Sequence, residues 1–184
     1  MRAFLAVDLD EILKNKVSEI QKQLMNTNAQ VKFVEDENLH FTCKFFGEIS
    51  DDKADEIKKA VADKINKYEP FDIHIKGLGV FPHLGYIRVI WLGLDDTKTF
   101  SEMLQDFDED FIKMGFKKER SYIPHLTIGR VKGSQNKEAL ISAIKEMEEV
   151  EIGKMKVNKI TLKKSELTPK GPIYTTVEEF ELKK

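Results

Sequence analysis

The chain has 184 residues, 41% hydrophobic and 34% charged, which is enough apolar content for a compact core and excludes a disordered polyampholyte. Lys and Arg number 30 against 32 Asp and Glu, so the formal net charge of −2 excludes a protein that coats nucleic acid with bulk positive charge; RNA binding would need a local patch or a grip on a chain end. The lone Cys43 excludes an internal disulfide or a Cys-His cluster, the short apolar start turns acidic too soon for a secretion signal, and no run nears the roughly 20 apolar residues of a membrane span, so a soluble cytoplasmic monomer without a cofactor is expected.

Residues 3–9 form a short apolar run, as in a buried strand, and Asp8 or Asp10 can cap the helix that follows. Leu13, Val17, Ile20 and Leu24 mark one face of that helix. A short strand over 30–34 and a stronger one over 39–46 come next, the latter ended by Gly47. Ser50, Asp51 and Asp52 open a second helix with Ile57, Val61 and Ile65 inward. Residues 71–80 and 86–94 read as a hairpin around a turn at 81–85. Phe100, Leu104, Phe107, Phe111 and Met114 define a third helix with Gly115 at its C-terminal cap. A strand over 122–131, a helix over 134–149 and two strands over 156–167 and 173–182 complete the chain, the last two joined by Thr168-Pro169-Lys170-Gly171-Pro172. The main order is β-α-β-α-β-β-α-β-α-β-β without a linker. It predicts an α+β fold in which residues 1–184 form one domain of two interlocked lobes.

One pattern occurs twice: His40-Phe41-Thr42-Cys43 and His125-Leu126-Thr127-Ile128. Strand alternation puts His and Thr of each copy on one face and the apolar pair on the other. If the halves are related by a pseudo-twofold, two imidazoles and two hydroxyls converge. One imidazole can then take a proton from water while the other gives one to a leaving oxygen, and the hydroxyls can hold phosphate oxygens. Hydrolysis of a strained cyclic phosphate matches that set without a metal. A lone His-x-Thr in a strand is ordinarily structural; the repetition, one copy per half, is what argues otherwise. Zinc fits poorly, since each copy offers one ligand. Cys43 points away from His40 in strand phase.

These motifs, with Asn38-Leu39 and Lys44 to Gly47 around the first and Pro124, Gly129 and Arg130 around the second, resemble the two-histidine phosphoesterase superfamily. More closely the chain is similar to the LigT-like RNA 2′,3′-cyclic phosphodiesterases, first described as 2′–5′ RNA ligases. The opening strand, Gly77 to Pro82 and Ser165 to Tyr174 also fit. The resemblance implies a bilobal fold whose antiparallel sheets line a central cleft, helices outside. It implies His40 as proton donor to the departing 3′ oxygen, His125 as proton acceptor from water, Thr42 and Thr127 on the phosphate, a 2′-phosphate product, and reverse 2′–5′ ligation at the same site. The expected partners are RNA ends carrying a 2′,3′-cyclic phosphate, tRNA fragments among them.

Two cations join the expected phosphate-binding set. Lys44 is in phase with His40 and Thr42; Arg130 is out of phase with His125 unless a bulge at Gly129 returns it. Phe46, Phe81 and Tyr86 are candidates for base stacking, with core packing the simpler role. Tyr174 either nears the cleft or closes the last hairpin; His74 reads as solvated and His83 as a loop residue. Two other readings stand beside the first: action on a small cyclic nucleotide or ADP-ribose cyclic phosphate, and a non-catalytic RNA-end binding module.

Overall fold

The computed structural model describes residues 1–183. The opening apolar run is β1 (Arg2–Asp8), covered on both faces, and Asp10 accepts the Ile12 amide at the turn that follows. Helix α1 (Lys14–Met25) buries Val17, Ile20 and Leu24, the expected stripe, together with Gln21. Strands β2 (Val31–Phe33) and β3 (His40–Glu48) lead to α2 (Asp51–Ile65), whose Ser50 cap accepts the Lys53 amide. The hairpin of β4 (Phe71–His83) and β5 (Tyr86–Leu94) is tighter than expected, for β4 continues through Phe81-Pro82-His83 and turns at Leu84-Gly85.

Helix α3 (Lys98–Lys113) ends in a Schellman motif: Gly115 has φ +99°, its amide bonds to the Ile112 carbonyl, and the Phe116 amide reaches Phe111. Strand β6 (Leu126–Val131) starts four residues later than the expected 122, because residues 121–125 run unpaired past Pro124. After α4 (Lys137–Glu146), shorter than expected, come β7 (Glu151–Val157), β8 (Lys159–Thr168) and β9 (Gly171–Glu181). The sequence reading missed β7: its buried residues Ile152, Met155 and Val157 are spaced three then two, because a bulge beside Gly153 breaks the alternation.

Among the described residues the nine strands form one antiparallel sheet, ordered β7-β4-β5-β6-β3-β1-β8-β9, with β2 added on β6. The order mirrors about its centre, where the motif strands β6 and β3 meet through one residue pair, Phe41 with Leu126. The antiparallel sheets expected of the two halves thus join at the middle residues of the two motifs. The helices pack beneath in crossed fashion. Helix α1 lies with α4 under β6, and α3 lies with α2 under β3, where Phe100 and Phe111 meet Phe41 and Phe46. Each motif strand therefore rests on a helix from the other half of the pseudo-symmetric pair. No helix among the described residues is long and apolar enough to cross a membrane.

Candidate active site

Two matching bulges decide what the motif strands show. In β3, Thr42 pairs with Ala6 and Lys44 with Leu5, which leaves Cys43 as an extra residue. In β6, Thr127 pairs with Trp91 and Gly129 with Ile90, which leaves Ile128 extra. An extra residue reverses the alternation beyond it. The cleft face accordingly reads His40, Thr42, Phe45 on one strand and Thr127, Arg130 on the other. Arg130 does return to the cleft face, through a bulge at Ile128 where one at Gly129 was expected.

The same shift corrects the expectation for Lys44, which is turned under the sheet and is 3% exposed. Its Nζ lies 2.6 Å from Asp108 Oδ1 of α3 and 2.6 Å from the Lys117 carbonyl, so it is no ligand for substrate. The other oxygen of Asp108 accepts the Glu119 amide at 3.0 Å and the Tyr122 hydroxyl at 2.7 Å. Burial alone would push this carboxyl up; the three donors outweigh it and hold it below the usual carboxylate range, while burial and Asp108 push the Tyr122 phenol up to about 12. A counterpart sits in α1. Gln21 Nε2 donates to the carbonyls of Val34 and of the bulged Ile128, each at 3.0 Å. Each helix thus ties the opposite motif strand to the segment leading to the histidine of its own half.

A cleft of about 640 Å³ opens on the face that carries His40 and Thr42. His40, Thr42, Thr127 and Arg130 line it, with Phe4, Phe45 and Tyr174 as apolar wall. Strand β6 meets β3 only at Leu126 and gives the rest of that edge to β2, so the two motif strands diverge from their meeting point. With Phe41 paired to Leu126 in antiparallel register, His40 falls on the Thr127 side of the junction and Thr42 on the His125 side.

His40 Nδ1 lies 2.6 Å from the Asn38 carbonyl and Nε2 lies 2.9 Å from Thr42 Oγ1. A carbonyl only accepts, so Nδ1 carries a proton and Nε2 is the nitrogen free to exchange one at the cleft. Asn38 also donates its side-chain amide to the Pro172 carbonyl at 3.1 Å, which fixes the β8–β9 hairpin against the first motif. Phe4 and Tyr174 hold the ring, with centroids 5.0 and 5.5 Å away.

His125 stands just ahead of β6. It is outside the cleft lining, edge-on to Phe81 at 5.0 Å and 6.3 Å from Trp91. Its Nδ1 faces the Ile123 carbonyl at 3.4 Å, the same i−2 arrangement as at His40 but looser. Burial lowers both imidazoles from 6.5; the carbonyl bonds oppose it, and the Arg130 charge lowers both further, so one guanidinium is felt at both rings. Lys163 and Asp8, ion-paired at 2.6 Å, add opposing charges beside His40 alone.

Among the stacking candidates, Phe46 is buried against Phe111 and Phe116, Phe81 is exposed beside His125, and Tyr86 is exposed near the tip of the β4–β5 hairpin. His74 is more enclosed than expected, 3.5 Å from Asp95, and His83 accepts the Gly85 amide in its turn. Half-buried Cys43 faces no histidine, and burial pushes its thiol well up. Sequence reasoning missed Phe45, Arg2, Asn38, Lys32, Lys132 and Lys170 as cleft residues. Asn38 and Phe45, which flank the first motif, and Arg2 and Lys170, in the opening strand and the last hairpin, lay in segments with a local signal; Lys32 and Lys132 did not.

Comparison with known proteins agrees with this duplicated layout. The sequence matches the LigT like Phosphoesterase family twice in succession, over residues 7–91 and 92–174. It is 55% identical to the RNA 2′,3′-cyclic phosphodiesterase of Methanothermobacter thermautotrophicus over 182 residues, 99% of each chain. It is 42% identical to the protein of the same name from Methanocaldococcus jannaschii, over 98% of this chain and all of the other. Among solved structures, a Thermus thermophilus protein superposes with a TM-score of 0.85 at 25% identity, covering 99% of this chain and 98% of that one. E. coli LigT complexed with 3′-AMP superposes with a TM-score of 0.80 at 21% identity, over 100% and 98%, a likeness of fold. With both halves matched and both motifs in place, the chain belongs to the LigT-like phosphoesterase family.

Proposed function

We propose that this protein hydrolyses 2′,3′-cyclic phosphate ends of RNA to 2′-phosphate ends. The observation that carries the reading is the single Phe41–Leu126 pair, which brings the strands of the two His-x-Thr motifs together at the centre of the sheet. Its relatives named RNA 2′,3′-cyclic phosphodiesterase support the substrate class.

The cyclic phosphate sits between Thr42 and Thr127, whose hydroxyls donate to its non-bridging oxygens, with Arg130 on the same face balancing the charge. Water attacks phosphorus opposite the 3′ oxygen. His125, in an apolar bay with a loose Nδ1 partner, takes the proton from water at Nε2. His40, with the tighter carbonyl acceptor that favours its charged form, gives its Nε2 proton to the 3′ oxygen. The P–O3′ bond breaks, a P–O bond to the former water forms, and the phosphate stays on the 2′ oxygen. Two imidazoles suffice in this scheme, without a metal. With a 5′-hydroxyl in place of water, the same pair opens the ring in the same direction: His125 takes the proton of that hydroxyl, His40 protonates the departing 3′ oxygen, and a 2′–5′ linkage forms; in water, hydrolysis dominates. Fragments of tRNA bearing such ends are substrates in this reading, met by a cytoplasmic monomer.

The test is a short RNA with a cyclic phosphate end, incubated in excess chelator. A 2′-phosphate product is expected, and His40→Ala and His125→Ala should each lower kcat by about 10²–10⁴-fold. Loss of activity in chelator, a 3′-phosphate product or near wild-type turnover by either variant would overturn the assignment.

A further inference from the structure

The cleft holds more positive charge than one cyclic phosphate needs. A 2′,3′-cyclic phosphate is a diester with a single negative charge. The cleft lining includes Arg2, Lys32, Arg130, Lys132 and Lys170 against one carboxylate, Glu35. Among the described residues none of these five cations lies within 4.0 Å of a carboxylate, whereas Lys44, Lys64 and Lys163 each do. In a chain with more acids than bases, five cations around one opening without carboxylate partners among the described residues mark where an anion belongs.

Their arrangement has a direction. Arg130 shares its face with Thr127 and acts on both imidazoles, so it serves the reacting phosphate; Arg2 is engaged over the Phe45 ring at 4.9 Å. The three lysines lie farther out. Lys132 is two residues beyond Arg130, just past the end of β6, where its amide donates to the Gln30 carbonyl at 2.7 Å; two extended residues span about 7 Å. Lys32 is the partner of Arg130 on β2, and its Nζ reaches across to within 3.7 Å of the Cβ position at Gly171, next to Lys170 in the β8–β9 turn. The lysines therefore flank one place, a single strand-step from Arg130, between β2, β6 and the hairpin that Asn38 ties down.

We infer that Lys32, Lys132 and Lys170 hold the phosphodiester immediately upstream of the reacting end, so that the enzyme selects an oligonucleotide over a lone nucleoside cyclic phosphate. The inference rests on the function proposed above and names which part of its substrate these lysines read. They contact a phosphate, not a base, so the preference is for strand length and not for sequence.

The experiment compares kcat/KM, at low and moderate salt, for four compounds: a nucleoside 2′,3′-cyclic phosphate, the dinucleotide and trinucleotide with the same end, and the dinucleotide with an uncharged methylphosphonate link. The dinucleotide should exceed the mononucleotide by about tenfold at low salt, with the trinucleotide adding little and the methylphosphonate falling back to the mononucleotide. The log–log salt slope should steepen by about 0.7 for the one added phosphate contact. In the triple variant Lys32→Gln, Lys132→Gln, Lys170→Gln the ratio of dinucleotide to mononucleotide should drop towards one. Equal wild-type rates for mononucleotide and dinucleotide, full activity of the methylphosphonate, or an unchanged ratio in the triple variant would each overturn the inference while leaving the proposed function intact. Failure of all four substrates would remove the function and the inference with it.

Discussion

His40 and His125 share one design and differ in detail. Each puts Nδ1 against the carbonyl two residues earlier, at 2.6 and 3.4 Å, and burial lowers each from 6.5. For the free enzyme the base must be neutral and the acid charged, so the two limbs of the kcat/KM profile are both set by imidazoles titrating below that value. The expected kcat/KM optimum is therefore on the acidic side of pH 6.5. In the kcat profile the alkaline limb should move up, because bound phosphate anion favours protonated His40. Steady-state rates across pH check this; a kcat/KM optimum on the alkaline side of 6.5 would contradict it. At this scale the sequence was readable where alternation held. His40, Thr42 and Thr127 are on the cleft face as period two requires. Lys44 and Phe45 exchange faces because of the extra residue at Cys43, and nothing in Thr-Cys-Lys announces a bulge.

Helices α1 and α3 repeat one another position by position: Val17, Ile20, Gln21 and Leu24 answer Leu104, Phe107, Asp108 and Phe111. The apolar members were plain from their spacing. The polar members were not, since a Gln or Asp beside an apolar stripe normally marks its solvent edge. Here both are buried and reach the strand beneath a bulge, Gln21 at the Ile128 carbonyl and Asp108 at Lys44. Replacing one member of the ion pair strands the other charge in the core. Lys44→Met should cost about 3–5 kcal/mol of stability in denaturant unfolding. Adding Asp108→Asn should recover part of that loss, since the amide carries no charge; a Lys44→Met protein as stable as wild type would show the pair to be dispensable.

The repeated motif foreshadowed an α+β sheet with the two motif strands at its centre, and that is the order found, with β2 added on the β6 side alone. What the sequence withheld was which helix covers which strand, because an apolar stripe specifies burial without naming its partner. The crossed packing has an energetic meaning. The sheet narrows to one residue pair at its centre, yet neither side can bury its underside without a helix from the other. A single cooperative transition is therefore expected in calorimetry, with calorimetric and van't Hoff enthalpies equal; two resolved transitions would show separable units. The crossing also bears on how the chain is made. Phe41 and Phe46, in β3, wait for Phe100 and Phe111, which are translated more than fifty residues later. A chain leaving the ribosome thus carries a sticky, uncovered aromatic surface while about a third of it is still being made, and final packing of that surface is expected only after α3 has emerged.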